Sequence, residues 1–214
     1  MSDQRREKTM IIEMRTYLLK PGTVPAFMER FAEGLPARLQ FSKLGGIWHT
    51  EVGTLNQVVH VWPYESLEDR ERIGQAARKT GKWPPNTHEF IILQENKILQ
   101  PAPFSSPLKE EKYGNIYEIR TYTYVPGAMP TVLERFGKVM PARVKLSPLA
   151  GAWYSAIGSL NQFIHVWAYQ DAGERERIRA EAQKKVEGWP PPTREFMLKQ
   201  ENMLVVPAAC SPLH

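Results

Sequence analysis

Hydrophobic and polar positions follow two different periods in the first half of the chain. Residues 10–19 and 57–64 alternate with the period of two that is typical of a β-strand, whereas Phe27, Phe31 and Leu35 recur at helical spacing. The whole pattern predicts strands over residues 10–19, 47–53, 57–64 and 87–99, and helices over residues 24–40 and from Ser66 to near Gly81. This β-α-β-β-α-β order is that of a ferredoxin-like fold.

The pattern occurs twice. Residues 12–17 (IEMRTY) recur as 117–122 (YEIRTY), and residues 55–62 (LNQVVHVW) recur as 160–167 (LNQFIHVW), both at an offset of 105 residues. The WPP segment that begins at Trp83 recurs at an offset of 106, so one residue is inserted before it. A period of this length indicates a duplicated domain, because solenoid repeats are much shorter.

We therefore predict two ferredoxin-like domains, over residues 10–100 and 116–214, joined by a linker over residues 101–115 that is rich in Pro, Ser and charge. Each domain would cover one sheet face with its helices and leave the other face open. Packing the two open faces together predicts an α+β barrel made of two half-barrels. The linker is long enough for the copies to pair within one chain or to swap between chains, which leaves a homo-oligomer possible.

Composition and charge indicate an ordinary globular protein. Hydrophobic residues make up 42% of the chain, charged residues 24%, and the net charge is +5. Acidic and basic residues alternate in segments such as 69–72 (DRER) and 174–177 (ERER), which is typical of solvated helix faces. For the four arginines of these segments the alternative is contact with a phosphate or a partner. No nucleic-acid partner is expected, because the basic residues form no continuous stripe.

Several absences bear on location. Cys210 is the single cysteine, so no disulfide can form within the chain. No apolar run approaches the roughly 20 residues that a membrane-spanning helix needs. Residues 1–9 are polar and lack the apolar centre of a secretory signal. The sequence therefore predicts a cytoplasmic protein without a membrane span.

These motifs resemble the NIPSNAP family of the dimeric α/β-barrel superfamily. The resemblance rests on E-x-R-T-Y followed by Pro-Gly, on N-Q-x-x-H-x-W-x-Y, and on the R-x-R helix and the Trp-Pro pair, and it covers residues 11–100 and 116–206. It implies a barrel fold. It implies no single activity, because the family has none that is settled and its barrel relatives include cofactor-independent monooxygenases and haem-binding enzymes.

Two polar and aromatic strand faces form the candidate binding surface. Alternation places the charged and aromatic residues of the first and third strands of each copy on one face, and the aliphatic residues on the other. We expect the aliphatic faces to pack on the helices and the polar faces to meet in the barrel interior. The candidate residues are Glu13, Arg15, Tyr17, His60, Trp62, Tyr64, Glu118, Arg120, Tyr122, His165, Trp167 and Tyr169.

Three interpretations of this surface are open. The favoured one is a buried polar network that holds the half-barrels in register. The second is a cavity in which an arginine holds an anionic or carbonyl group of a small ligand. The third is an oxygenase-like site with His60 or His165 as base and an arginine as oxyanion stabiliser. No metal site is predicted, and no cofactor, with haem on one of the histidines as the alternative.

Two further repeated motifs have structural interpretations. Trp83 and Trp189 precede Pro-Pro and are expected to fill the core at a rigid corner. Asn56 and Asn161 are expected to form turns. Together the patterns favour a non-catalytic binding or adaptor module with a small aromatic or amphipathic ligand, and a small oxygenase-like or haem-dependent enzyme is the alternative.

Overall fold

The computed structural model describes residues 10–214, and the polar segment 1–9, from which no secretory signal is predicted, lies outside the described residues. The first unit contains β1 (Ile11–Leu19), α1 (Val24–Leu39), β2 (Gly46–Val52), β3 (Gln57–Tyr64), α2 (Leu67–Lys79) and β4 (Ile91–Pro101). The second unit contains β5 (Ile116–Tyr124), α3 (Met129–Arg143), β6 (Leu149–Ile157), β7 (Gln162–Tyr169), α4 (Ala172–Lys185) and β8 (Met197–Pro207).

The eight strands close into one barrel in the order β1-β3-β2-β8-β5-β7-β6-β4. In each unit the first strand lies between the third and the fourth, as the ferredoxin-like order predicts. The two half-sheets join through β2 with β8 and through β4 with β6. The predicted α+β barrel of two tandem ferredoxin-like units is confirmed, and both halves come from the same chain.

The barrel interior is aliphatic and aromatic. Ile12 and Met14 of β1 and Val59 and Val61 of β3 pack there against Tyr117 and their other counterparts from the second unit. Trp48 and Trp153 also lie in this cluster. A Cβ atom at Gly46 would overlap the Trp48 ring, and Gly151 leaves the same space for Trp153. The spacing Gly-x-Trp therefore lets each indole fold back along its own strand.

The predicted orientation of the polar faces is wrong. Tyr17, Trp62 and Tyr64 pack with Phe27 and Phe31 of α1, so their strand faces lie beneath the helices and not in the barrel interior. The same holds for the second unit, where Tyr122, Trp167 and Tyr169 pack with Phe136 and Met140 of α3. This correction applies to all twelve candidate residues: Glu13, Arg15, Tyr17, His60, Trp62, Tyr64, Glu118, Arg120, Tyr122, His165, Trp167 and Tyr169.

The polar faces point towards the helices because that is where their charged partners lie. A carboxylate in the barrel interior would meet the aliphatic and aromatic residues of both units and no cation of that cluster, and an unpaired buried charge is costly. Beneath the helices, α2 and α4 present arginines to Glu13 and Glu118. The polar faces therefore lie towards the helices, and the aliphatic faces fill the barrel.

Local signals place most element ends as predicted. The Ser66 hydroxyl accepts from the backbone N–H of Asp69 at 3.1 Å, and the Asp171 carboxylate accepts from the backbone N–H of Glu174 at 2.7 Å. Helices α2 and α4 therefore both begin with a side-chain cap. Asn56 adopts a φ of +59°, as a turn residue. The fourth strand begins later than predicted, at Ile91, because residues 88–90 form a short 3-10 helix.

The segment between the two units lies along the barrel. Leu108 packs against the barrel-interior cluster, and Glu111 forms an isolated parallel bridge with Leu213. The backbone N–H of Ala102 donates to Ala152 at 2.9 Å. Among residues 10–214 no helix combines the length and the apolar character needed to cross a membrane.

Candidate functional site

A buried carboxylate is the centre of the second-unit site. Glu118 on β5 is 0% exposed and accepts hydrogen bonds from Arg120 and from Arg175 of α4, each at 2.6 Å. Arg179, one helical turn further along α4, lies 3.3 Å from the same oxygen. Asn202 of β8 donates to it at 3.1 Å. One carboxylate is therefore shared among three guanidinium groups.

The charge state of Glu118 follows from two opposing effects. Burial alone raises the pKa of the Glu118 carboxyl, whereas the hydrogen bond from Arg175 and the charges of Arg120, Arg179 and Arg175 lower it, and the net shift is downward. The carboxylate is anionic at neutral pH. Because three cations share one anion, the site carries an excess of positive charge.

The first unit has a related network with fewer cations. Glu13 accepts from Arg70 of α2 at 2.6 Å, from Asn96 at 2.8 Å and from the Tyr64 hydroxyl at 3.1 Å. Arg15 lies 3.7 Å from the same carboxylate. The position equivalent to Arg179, 105 residues earlier, is Gly74. The second unit therefore has one more arginine at its carboxylate than the first.

The first helix of each unit contributes a further arginine, which lies over the tryptophan of the third strand. Arg143 of α3 is buried, lies 4.1 Å from the ring centre of Trp167, and donates to Ser147 at 2.9 Å and to Tyr169 at 3.4 Å. Burial lowers the pKa of the Arg143 guanidinium. Arg38 of α1 is its equivalent in the first unit. These side chains hold cations directly over the tryptophans.

Each histidine is arranged as a neutral hydrogen-bond donor. The Trp167 indole N–H donates to Nδ1 of His165 at 2.6 Å, and Trp62 donates to Nδ1 of His60 at 2.7 Å. Since an indole can only donate, Nδ1 bears the lone pair and the neutral ring carries its hydrogen on Nε2. That Nε2 atom is buried and has no partner among the described residues in either histidine.

Electrostatics keep both rings neutral. Burial, with the positive charges of nearby arginines, lowers the pKa of His60 to about 3 and that of His165 well below its ordinary value. Protonation would also require displacing the tryptophan hydrogen bond. His165 is therefore a donor and not a base at neutral pH.

A cavity of about 870 Å³ lies beneath the helices of the second unit, and we call it the second-unit pocket. It is bounded by the strand face that carries Glu118, by α3 and α4, and by the corner at Trp189. Exposed residues of β8 such as Lys199 lie at its mouth. The aromatic, cationic and donor groups of its lining include Arg120, Tyr122, Phe136, Arg143, His165, Trp167, Arg179 and Trp189.

The two units differ where the first helix meets the Trp-Pro-Pro corner. In the first unit, α1 closely approaches the Trp-Pro-Pro corner, because a Cβ at Gly34 would lie 3.1 Å from the backbone oxygen of Lys82. In the second unit the equivalent residue is Val139, and one residue is inserted before Trp189. The contact between the first helix and the Trp-Pro-Pro corner therefore differs between the two units.

The twelve predicted residues form two separate clusters, one in each unit, and each cluster contacts its own helices. The predicted corner role of the tryptophans is confirmed, since Trp83 and Trp189 pack on Trp62 and Trp167 at 5.9 and 6.0 Å. The prediction of solvated faces is wrong for Arg70 and its counterpart in α4, because both reach a buried glutamate. Arg72 and Arg177 are exposed, as predicted.

Sequence reasoning missed several residues that complete the site. Arg38 and Arg143 recur at the common offset, so the repeat itself contained a signal for them. Asn96 and Asn202 lie in the repeated Gln-Glu-Asn segment, which gave a similar signal. The repeat gave no such signal for Arg179, because a glycine occupies the equivalent position of the first unit.

The site fits neither haem nor a metal cluster well. An axial histidine offers its Nε2 lone pair while Nδ1–H donates to an acceptor. His60 and His165 have the opposite arrangement, because Nδ1 accepts from an indole. Among residues 10–214, no three His, Cys, Asp or Glu side chains lie close enough together to hold a metal ion.

Comparison with known proteins identifies relatives of the whole chain. The family model described as NIPSNAP matches residues 12–106 and 117–212. The human protein NipSnap homolog 3B is 30% identical over 94% of this chain and 85% of its own length. The NipSnap homolog of Dictyostelium discoideum is 33% identical over 80% of this chain and 75% of its own.

A solved structure from Fusobacterium nucleatum, described as a candidate monooxygenase, shares the fold. It matches 94% of this chain and 93% of its own with a TM-score of 0.67, at 9% sequence identity. This similarity concerns the barrel alone. The two family matches and the identity to the curated relatives together show that this chain belongs to the NIPSNAP family.

Proposed function

We propose that this protein is a binding module for a small molecule, and that the ligand occupies the second-unit pocket. The observation that carries the proposal is the cavity of about 870 Å³ in which aromatic side chains surround a few convergent polar groups. Its volume is within the range of roughly 300 to 1,000 Å³ that is usual for small-molecule sites. The half-buried Trp189 ring supplies a flat apolar wall, and Arg120, Arg179 and His165 supply donors.

The hydrogen bonding of His165 supports binding over base catalysis. An oxygenase-like reaction without a cofactor needs a base to form a carbanion. The Nδ1 lone pair of His165 is engaged by Trp167, and the pKa of the ring lies well below its ordinary value. Glu118 is the buried carboxylate of the pocket, and it is shared among three arginines. No group in this set is poised to accept a proton from a ligand.

A blocking variant tests the proposal. Gln183 lines the pocket on α4, and Arg78 is its equivalent in the first unit. A fragment library is screened by thermal shift and by the indole signals in ¹H–¹⁵N spectra. We expect binders to move the signals of Trp167 and Trp189, and Gln183→Trp to abolish both effects, since the new ring fills the mouth of the cavity.

The matched control is Arg78→Trp, which adds the same ring to the equivalent exposed helix position and should leave binding intact. The proposal fails if no fragment shifts the two indole signals, or if Gln183→Trp and Arg78→Trp have the same effect.

A further inference from the structure

We infer that the second-unit pocket selects small organic oxyanions, with a carboxylate or phosphate group held by Arg179, Arg120 and His165 and a flat apolar body packed on Trp189. This inference rests on the proposed function and names the class of ligand. It differs from that proposal by predicting discrimination between charged and uncharged compounds of the same shape.

The charge balance of the lining favours an anion. Arg120, Arg143 and Arg179 all line the pocket. The lining carboxylates are Glu118, which is shared among several arginines, and Glu195, which is paired with Arg135 at 2.6 Å. Neither carboxylate is left to balance the remaining cations. A ligand with a negative head group would therefore enter a site of complementary charge.

Arg179 is the least committed of the three arginines at Glu118. Its contacts with the two carboxylate oxygens are 3.3 and 3.4 Å long, whereas Arg120 and Arg175 each donate at 2.6 Å. The Arg179 side chain is 39% exposed, compared with 13% for Arg120. Its planar fork can turn towards a ligand oxyanion without breaking the short bonds that fix Glu118.

His165 contributes an unpartnered buried donor to the lining of the pocket. The residue is 1% exposed, lies on the pocket lining, and its Nε2–H has no acceptor among the described residues. A buried donor without a partner is costly, and an oxyanion is a strong acceptor for it. His60 shares this feature, so the donor is common to both units. The arginine at position 179 is what distinguishes the second unit.

The walls define the rest of the ligand. Trp189 packs edge-to-face on Trp167 at 6.0 Å and on Phe136 at 6.1 Å, and these rings line the pocket. Flat apolar groups pack well on such surfaces, and an uncharged polar chain would leave them poorly covered. The combination of a cationic end and an aromatic wall fits an aryl or similarly apolar body that carries a single oxyanion.

The test compares three compounds that share one ring system: 2-naphthoate, 2-naphthyl phosphate and the uncharged 2-naphthamide. Binding to the full chain is measured by calorimetry, with the indole signal of Trp189 as a site marker. We expect both anions to bind at least 10-fold more tightly than the amide, since a charge-assisted hydrogen bond is stronger than a neutral one. The tighter of the two anions then identifies the head group.

Two substitutions in the same helix separate the charge from the fold. We expect Arg179→Gln to weaken both anions about 10-fold or more and to leave the amide unchanged. Arg177→Gln is the control, because Arg177 is exposed and does not line the pocket. This control should leave the affinities for the two anions and for the amide unchanged. Melting temperatures of both variants verify that the fold is retained.

The inference is overturned if the amide binds as tightly as the anions, or if Arg179→Gln weakens all three compounds equally. In those cases binding at the Trp189 marker would still support a small-molecule pocket. If none of the compounds moves the Trp189 signal while other fragments do, the inference fails and the proposed function stands. If no compound of any kind moves it, both fail.

Discussion

Glu13 and Glu118 occupy equivalent positions but differ in their electrostatic surroundings. Glu13 is held by Arg70, an asparagine and a tyrosine, with Arg15 at 3.7 Å, whereas Glu118 is the shared anion of three arginines. Removing a buried anion from such a cluster leaves uncompensated cations. The cost of this loss should therefore be larger in the second unit.

We expect Glu118→Gln to destabilise the fold by about 3 kcal/mol or more at pH 7. The carboxyl has a lowered pKa in the folded state, so its contribution is present above the unfolded value near 4.5 and is lost as the pH falls. Urea unfolding at pH 7 and pH 3 should show a smaller difference between wild type and variant at pH 3. An equal difference at both values would contradict this, and Glu134→Gln, at an exposed ion pair, is the control.

Buried histidines should make stability depend on pH in a higher range. The pKa of His60 is lowered to about 3, and that of His165 is also lowered, while unfolded histidine titrates near 6.5. The unfolded chain therefore takes up protons first as the pH falls. We expect the free energy of unfolding to decrease below pH 6.5, on the order of 1 kcal/mol per pH unit for each histidine.

Urea unfolding between pH 8 and pH 5 checks this slope. His165→Gln should flatten the slope by about half, because one of the two titrating groups is gone. Exposed His88→Gln is the control and should leave the slope as in wild type. A slope that survives loss of both buried histidines would show that other groups cause the dependence.

At the scale of the elements, the chain reveals which residues share a face but not what the face contacts. Alternation correctly groups Glu13, Arg15 and Tyr17, yet the same pattern suits a barrel interior and a helix interface. Whether this face contacts the barrel interior or a helix depends on Arg70. The alternating segment DRER looks the same whether its arginine is solvated or buried. Arg70 meets Glu13 across 57 residues, a pairing that no local pattern contains.

Arg179 illustrates the same limit within the candidate site. The repeat indicates what both units share, and therefore favours residues such as His165 and Arg143. A feature that belongs to one unit appears only when the structure places it beside its partners. The fold and the shared part of the site were predictable, whereas the orientation of the sheet face and the single-copy arginine were not.

The glycine two residues before each barrel tryptophan allows a test of packing within the strand. We expect Gly46→Ala to destabilise the fold by about 1–3 kcal/mol, because the added methyl would overlap the Trp48 ring. Gly74→Ala is the matched control. It lies within α2 and should stabilise by about 0.5–1 kcal/mol. Thermal unfolding of both variants measures the effects, and equal shifts would show that Trp48 moves freely.

At the scale of the whole molecule, the barrel is a shared core between two halves of one chain. Val61 and Ile12 of the first unit and Ile119 and Val166 of the second are buried in the same cluster. Strand pairing at both junctions continues the sheet across the boundary. In this barrel each half buries its inner sheet face against the other, so we expect the shared core and the two strand junctions to hold the halves together without the covalent connection.

Cleavage of the connection tests this conclusion. A protease site inserted between the exposed residues Lys109 and Glu110 allows the folded chain to be cut. We expect the two fragments to elute together at the volume of the uncut protein and to separate only in denaturant. The uncut protein with the same insertion is the control. Fragments that elute separately in buffer would show that the barrel interface is weak.

Joining both half-barrels in one chain has an evolutionary consequence. In a barrel assembled from two identical subunits, every substitution would appear on both sides at once. Here a substitution in one half leaves the other unchanged, so the arginine at 179 can coexist with the glycine at 74. Duplication thus separates two selective pressures, because one half can specialise in recognition while its sister preserves the scaffold.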